Sequence, residues 1–493
     1  MKTHRPIVRN ARWVAPALLG EIMGNNNPWA LAMKRSLWLQ EIADELTPTA
    51  PLREDLSVDV AIIGGGFVGL WTALRLLELE PQCRIVILER DICGGGASGR
   101  NGGFVMSWWP KISSLVAQCG KEEALRLARA SEANIGEIGE FCAQHGIDAH
   151  FRRGGWLWTA TSDAQRGAWK GVQRTCESLG EQVFRSLPDN EVQRRAGSCQ
   201  HLEGVIEASN ATVQPARLAR GLRRVALEKG VRIFENTSVD DIQRSEPAVL
   251  RTPSGSVTAR RVVLATNAWA AQIPELSRVV LPVTSTIVAT HPIPRRLEQI
   301  GWTGGESITD SQLMVDFYRT TQDGRIAFGK GTGMINYASR IDASFDDNPR
   351  LSEETEKDFR RTYPNLADEP ISHAWCGPID RTYDSMPVFG HLEGAPHIFY
   401  GIGWSGNGVG PSRLGGRILA SLVLGRSDEW SRCGLVGRRP KSFPPEPIRY
   451  FGGLLVRGAV QRKEEQEAQN RKPSWLDLRL SKFAPVGLED KSA

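Results

Sequence analysis

The chain has 493 residues, 41% of them apolar and 24% charged, with a formal net charge of +5 at pH 7. That length exceeds one ordinary core and points to two domains with appendages. So small a charge excess, with no basic run interleaved by aromatics, excludes a nucleic-acid binder. Eight cysteines are scattered without a CxxC pair or a neighbouring histidine cluster. That argues against a metal centre and for free thiols in a reducing cytoplasm. No stretch approaches the ~20 apolar residues that span a bilayer, and the basic N-terminus lacks the apolar core of a signal peptide.

Residues 1–56 read as a helical preamble, with Trp38, Leu39 and Ile42 at helical spacing. VDVAIIGGGFVGLWTALRLLELEP then reads as strand, glycine turn and helix, and CRIVILER as a second, wholly apolar strand, which makes a parallel βαβ unit. Residues 120–200 read mostly as helices, with Leu127, Ile135, Ile138 and Phe141 on one side and a strand at 154–161. QPARLARGLRRVALEKG is a helix with Pro215 in its first turn, followed by the strands VRIFE and RRVVLAT. Between 278 and 335 apolar and polar positions alternate, as in an antiparallel sheet covered on one face. HIFYGIGWSGNGVGPSRLGGRILASLVLG repeats strand, glycine turn and helix. In the basic tail, Ile448, Phe451, Leu454 and Leu455 form an apolar face expected to pack a helix on the protein's own surface, with a membrane surface or a partner as the alternative.

The chemistry starts at Gly64-Gly65-Gly66-Phe67-Val68-Gly69, between that strand and helix, with Glu89 23 residues after Gly66. Gly64 permits the tight turn, Gly66 the approach of a pyrophosphate, and Gly69 the packing of helix on strand. The helix start offers free N–H groups and partial positive charge to phosphates. Glu89 can accept hydrogen bonds from ribose hydroxyls, and Arg90 follows it. The next loop has six glycines in the ten residues from Gly94 to Gly103, which suits backbone laid against a large flat ligand. These features predict an α/β fold: a Rossmann-like dinucleotide domain over 57–119, 205–277 and 370–429. It is interleaved with an α+β substrate domain over 120–204 and 278–369, and a tail spans 430–493.

The fingerprint, the GASGRNGG loop, the RVVLATNAWA strand and the GWSGNG turn together resemble the D-amino-acid oxidase and glycine oxidase superfamily of FAD enzymes. The resemblance covers roughly residues 57–425. GASGRNGG and CGPIDRTYDSMPVFG are most similar to its gamma-glutamylputrescine oxidoreductase branch. FVMSWWPK and the basic tail look like proteins proposed to be aminophosphonate oxidoreductases. The resemblance implies a glutathione-reductase-type domain that holds FAD. Ala97, Ser98, Gly99, Arg100, Asn101, Gly102 and Gly103 would pass the pyrophosphate and ribityl chain. Val239 would meet the adenine, and Ala265, Thr266, Asn267 and Trp269 would close over the dinucleotide. Gly403, Trp404, Ser405, Gly406, Asn407 and Gly408 would line the flavin ring. Sarcosine-oxidase-like members attach FAD through a cysteine. Aligned on Thr382-Tyr383-Asp384, that position is Gly377, beside Cys376, so non-covalent binding is expected.

The implied activity is oxidation of a primary or secondary amine with a carboxylate or phosphonate end. A hydride passes to flavin N5, an imine hydrolyses to an aldehyde, and O2 or another acceptor takes the electrons. A D-amino-acid or glycine-type oxidase and an N-methyl amino acid oxidase are the alternatives. Amino-acid-oxidising relatives often place a basic residue just after the late glycine turn, where this chain has Gly410-Pro411. Trp108, Trp109 and Trp156 are candidates for cavity walls, and Arg100, Arg319 and Arg381 for gripping the anion. No general base is required if the amine binds deprotonated; His291 and Lys330 are the weak catalytic candidates.

Overall fold

The computed structural model describes residues 36–487 and 489–490; the N-terminal part of the expected preamble, residues 1–35, lies outside the described residues. Two eight-stranded sheets organise the chain. In the first, Leu56–Ile63 runs parallel to Ile85–Leu88 on one side and to Gly255–Leu264 on the other. Arg232–Phe234 and Ala395–Ile402 extend it in parallel at either end. Val388–Leu392 closes the edge antiparallel. Ile85–Leu88 is IVIL and buried at every position, as expected of a strand covered on both faces.

On one face lie the helices Phe67–Leu79, Pro215–Glu228 and Pro411–Val423, whose Leu70, Leu74, Leu222, Leu414 and Ile418 share a core with Val60, Ile62 and Ile87. Each such side chain contributes about 1.5–3 kcal/mol by leaving water. Gly416 lets two of these helices touch, since a Cβ there would lie 2.8 Å from the Trp71 carbonyl carbon. On the other face, Asp241–Gln243 and Ala248–Thr252 form an antiparallel meander with Gly255–Leu264.

The second sheet runs Ile371–Arg381, Leu281–Thr290, Ile326–Lys330, Asp316–Thr320, Ser307–Thr309, Trp156–Ala160, Glu203–Glu207, Phe184–Leu187. It is antiparallel except for Ser307–Thr309 against Trp156–Ala160. Period-two alternation splits Trp156–Ala160: Leu157 joins a core with Phe328 and Phe359, whereas Trp156 and Trp158 stack on each other at 5.3 Å and face the nucleotide domain's core. Segments 205–207 and 371–381, which the sequence reading places in the nucleotide domain, are strands of this second sheet. Ile371–Arg381 pairs residue by residue with Leu281–Thr290, out to Leu281 opposite Arg381. Within 120–204, the helix Lys121–Gln144 precedes strands Trp156–Ala160, Phe184–Leu187 and Glu203–Glu207 of the same sheet, with the helices Lys170–Ser178 and Asp189–Ala196 between them.

In the tail, Ile448–Ala468 and Trp475–Ser481 are helices. The expected apolar face is not the packed one: Ile448 and Phe451 are 63% and 65% exposed. The first helix docks instead through polar anchors. Arg449 donates to the Ser277 carbonyl at 2.7 Å, and Glu464 accepts from the Leu313 and Met314 N–H groups. No described helix is long and apolar enough to cross a membrane.

Lys330 belongs to this scaffold. Its ammonium lies 2.6 Å from Asp358 and 3.1 Å from its cross-strand neighbour Asp316, and Arg361 completes the cluster. Burial works against the Lys330 charge, but the two carboxylates outweigh it and raise its pKa. Replacing Lys330 by Met leaves Arg361 as the one cation of this cluster for Asp316 and Asp358, and breaking such a buried cluster costs about 3–5 kcal/mol. Urea denaturation of Lys330→Met should show that loss; a change within experimental error would contradict the structural role.

Candidate active site

The first glycine turn is built by close contacts that only glycine allows. Gly64 has φ +110°, and a Cβ on it would lie 2.5 Å from the Ala265 carbonyl oxygen. A Cβ on Gly69 would lie 2.0 Å from the Gly64 oxygen, so the helix rests directly on the strand end. Gly66 caps Phe67–Leu79 without a side-chain cap; Ser98, from the second glycine-rich loop, accepts the Phe67 N–H at 2.9 Å. The Glu89 carboxylate accepts the Gly65 N–H at 2.7 Å and the Asp91 N–H at 2.9 Å. The fingerprint and the acid are thereby wired together.

The remaining sequence candidates gather around this turn. Arg90 lies over the Trp269 ring at 4.7 Å. Asn101 folds its loop onto itself, donating to the Ala97 and Ser98 carbonyls and accepting the Gly103 N–H at 2.7 Å. Ala265 donates to the Ile63 carbonyl. Val239 packs half-buried beside the meander. Thr266 Oγ1, Asn267 Oδ1 and Asn407 Oδ1 are buried with no hydrogen-bond partner in the protein. Buried polar atoms are rarely left unpaired. Orphans of this kind, on the two segments expected to close over a dinucleotide and to line its flavin, fit a polar ligand. The glycine cradle, the start of helix Phe67–Leu79 and Glu89 fit its adenosine diphosphate half.

The late turn, residues 403–408, follows strand Ala395–Ile402 and carries positive φ at Gly403, Ser405 and Gly406. The reading of the sequence missed the group that holds it. Asp380, fully buried near the end of the second sheet's edge strand, accepts the Gly403 N–H at 2.6 Å and the Trp404 N–H at 3.0 Å. Thr382 adds its N–H to Ser405 Oγ at 3.1 Å. Burial pushes the Asp380 carboxyl up to about 7, against the opposing pull of the backbone N–H groups. Asn407 reaches across to the Ser107 carbonyl at 3.4 Å, joining the turn to the segment before Trp108 and Trp109. Behind that segment, buried Glu207 accepts the Ser107 hydroxyl at 2.6 Å and is likewise raised to about 7 by burial. The signal for Asp380 was its place in the CGPIDRTYDSMPVFG motif; Glu207 carried none.

The substrate-side candidates separate. Trp108 and Trp109 are buried behind the Ser107 contact, with the Trp109 indole donating to Glu132 at 2.7 Å. Trp156 is packed in the core between the two sheets. Arg100 is tied to the Gly95 carbonyl and paired with Asp346. Arg319 donates to the Val213 carbonyl at 2.7 Å and lies over Trp38 at 5.0 Å, at a cavity of about 740 Å³ that Glu41 and Arg217 also line. Arg381 directly follows Asp380, and burial lowers its pKa to about 10. Two candidates fall away. His291 is exposed, just past the end of strand Leu281–Thr290, and Lys330 is locked between Asp316 and Asp358. Cys376 is buried, its thiol 3.3 Å from the Thr286 hydroxyl.

Comparison with known proteins agrees with this architecture. Residues 59–422 match the family of FAD dependent oxidoreductases (DAO). The chain is 30% identical to gamma-glutamylputrescine oxidoreductase of Escherichia coli (strain K12), over 79% of its own length and 88% of that protein's. It is 24% identical to glycine oxidase of Geobacillus kaustophilus (strain HTA426), over 74% and 92% of the two lengths. The crystal structure of glycine oxidase from Geobacillus kaustophilus superposes with a TM-score of 0.63 at 22% identity, covering 76% of this chain and 96% of that one. Iminodiacetate oxidase from Chelativorans sp. BNC1 gives 0.60 at 22% identity, covering 77% and 100%.

Two outcomes follow from this geometry. Gly69→Ala drives a Cβ into the Gly64 carbonyl, where backbone cannot yield cheaply; overpacking of this kind costs about 1–3 kcal/mol. The variant should purify with reduced flavin absorbance per chain and a lowered Tm, and full flavin loading would refute the contact. For Asp380, the folded pKa of about 7 exceeds the ordinary 3.8. Folded protein therefore keeps a proton that the unfolded chain has released, and stability falls as pH rises from about 4 to about 7. Denaturation midpoints across that range should drop more steeply for the wild type than for Asp380→Asn. Parallel curves would exclude a titrating Asp380.

Proposed function

This chain belongs to the DAO family of FAD-dependent oxidoreductases, and we propose that within it the protein oxidises a primary or secondary amine bearing a carboxylate or phosphonate. The observation that carries the reading is the placement of Arg381: a half-buried guanidinium directly follows, on the same strand, the carboxylate that fixes the turn expected to line the flavin. The 30% identity to gamma-glutamylputrescine oxidoreductase supports an amine as the reducing substrate.

The start of Phe67–Leu79 holds the pyrophosphate, Glu89 the ribose, and the backbone of 403–408 the ring, without a covalent link. FAD, when bound, supplies the two-electron acceptor for the hydride of the amine's α C–H. The chain's task is to orient the amine in its neutral form and to keep bulk water away. Trp108 and Trp109 exclude water on the side of the segment that Asn407 ties down. Arg381 grips the anionic end with paired N–H donors. The resulting imine leaves to be hydrolysed to an aldehyde, and O2 or another acceptor takes the electrons. A basic residue placed just after the late turn, as in simple amino-acid oxidation, has no room here. A Cβ at Gly410 would already lie 2.5 Å from the Met106 oxygen.

The test is an anaerobic panel of polyamines and their acidic conjugates, N-methylated amines, aminophosphonates and D-amino acids, read by bleaching of the flavin band. Amines with an acidic end should bleach it. Hydrogen bonds to a charged group contribute about 1.5–3 kcal/mol, so Arg381→Leu should lower kcat/KM for them by about 10- to 150-fold while sparing uncharged amines. Bleaching by D-amino acids alone, or by nothing in the panel, would refute the proposal.

A further inference from the structure

Beyond its last helix the chain turns inward. Phe483 is 64% exposed, yet Glu489 is 0% and Asp490 8% exposed. Asp490 is held from every side: its N–H donates to the Pro110 carbonyl at 2.8 Å. One carboxylate oxygen accepts from Lys111 Nζ at 3.1 Å and Ser114 Oγ at 2.6 Å, and the other from the Ser114 N–H at 2.8 Å. Lys111 is itself almost fully buried and also donates to the Gly487 carbonyl at 3.3 Å. Glu489 accepts from the Thr309 hydroxyl at 3.3 Å, the same hydroxyl that accepts the Trp156 indole N–H. Its charge acts on Arg381, whose guanidinium donates to the Val486 carbonyl, as does the Ser385 hydroxyl at 2.8 Å.

The last described residues therefore bring two carboxylates to two cations, Lys111 buried and Arg381 half-buried. Lys111 follows Trp108 and Trp109, and Arg381 follows the carboxylate that holds the late turn. Lys111 donates to the Gly487 carbonyl and Arg381 to the adjacent Val486 carbonyl, so one stretch of tail brings the two cations together, and the Arg381 charge acts on Lys111. A buried cation beside a second, half-buried one is tolerated only with anions to offset both charges. We propose that Lys111 and Arg381 form an anion subsite for the acidic end of the substrate, and that Glu489 and Asp490 are its internal, competing occupant. The inference rests on the reading of the substrate as an amine with an anionic end. A tethered competitor acts at a high effective concentration, so the tail sets how much external anion is needed to enter. It also keeps the two cations paired between turnovers.

Holoenzyme tests this with two non-oxidisable probes, glutarate and phenylphosphonate, titrated by calorimetry and by perturbation of the flavin spectrum. Two variants release the subsite: a chain ending at Ala484, and the full-length Glu489→Gln/Asp490→Asn, which keeps the side-chain shapes. In either one the Kd for both probes should fall by about ten- to a hundredfold, and adding Lys111→Met should abolish the gain. Unchanged or weaker binding in the double variant, with its Tm within a few degrees of wild type, overturns the proposal, whether or not the truncated chain folds. The two readings fail separately. Tighter probe binding without bleaching by any amine sinks the proposed function and leaves the subsite. Bleaching by acidic amines with no change in Kd sinks the subsite alone.

Discussion

The buried carboxylate of Asp380 is the point at which the two sheets become one enzyme. It sits on the edge strand of the antiparallel sheet, and both its oxygens are spent on backbone N–H groups of a turn that belongs to the parallel sheet. That turn carries Ser405 at φ +52° between two glycines at +84° and +91°, a conformation a serine adopts only when its surroundings impose it. Asp380 and the Thr382 N–H impose it. The cost of burying a carboxyl is what moves its titration to neutrality, and the return is a rigid row of backbone where the flavin ring is expected.

The nucleotide half was legible because its chemistry is done by backbone. Backbone that must approach a phosphate or turn through positive φ favours glycine, so Gly64, Gly66, Gly69 and Gly403 announce themselves at fixed spacing. Glu89 is announced by the end of a short apolar strand. The substrate half works through side chains paired across long stretches of chain. Asp380 meets its turn 23 residues later, and Ser114 meets Asp490 across 376 residues; no local period records such a pairing. The boundary near 370 was misplaced for a related reason. Ile371–Arg381 runs on directly towards the nucleotide-domain hairpin 388–402, and only its partner strand, Leu281–Thr290, reveals which sheet it joins. His291 was chosen from its position after that strand, and the chain proves to turn out to solvent directly after the buried Thr290.

Buried charge is common in this molecule, and its pattern separates scaffold from site. Around Lys330, Asp316, Asp358 and Arg361 close a cluster whose members all come from the two hairpin strands and the helix Pro349–Thr362 packed on them. The cluster stands as a bolt between sheet and helix, with Glu464 of the tail helix adding its charge to Lys330. Arg220 and Arg223 on buried Glu235 form a second closed set beneath the nucleotide loop, where Glu235 also accepts the Cys93 N–H. Lys111 and Arg381 differ in kind. Their carboxylates come from the far tail, held in place by a handful of contacts to Pro110, Ser114, Tyr383 and Ser385. A cation whose partner lies within its own structural unit cannot exchange it without unfolding that unit. Lys111 instead meets Asp490 across 379 residues, and it and Arg381 donate to the adjacent Gly487 and Val486 carbonyls of that same stretch.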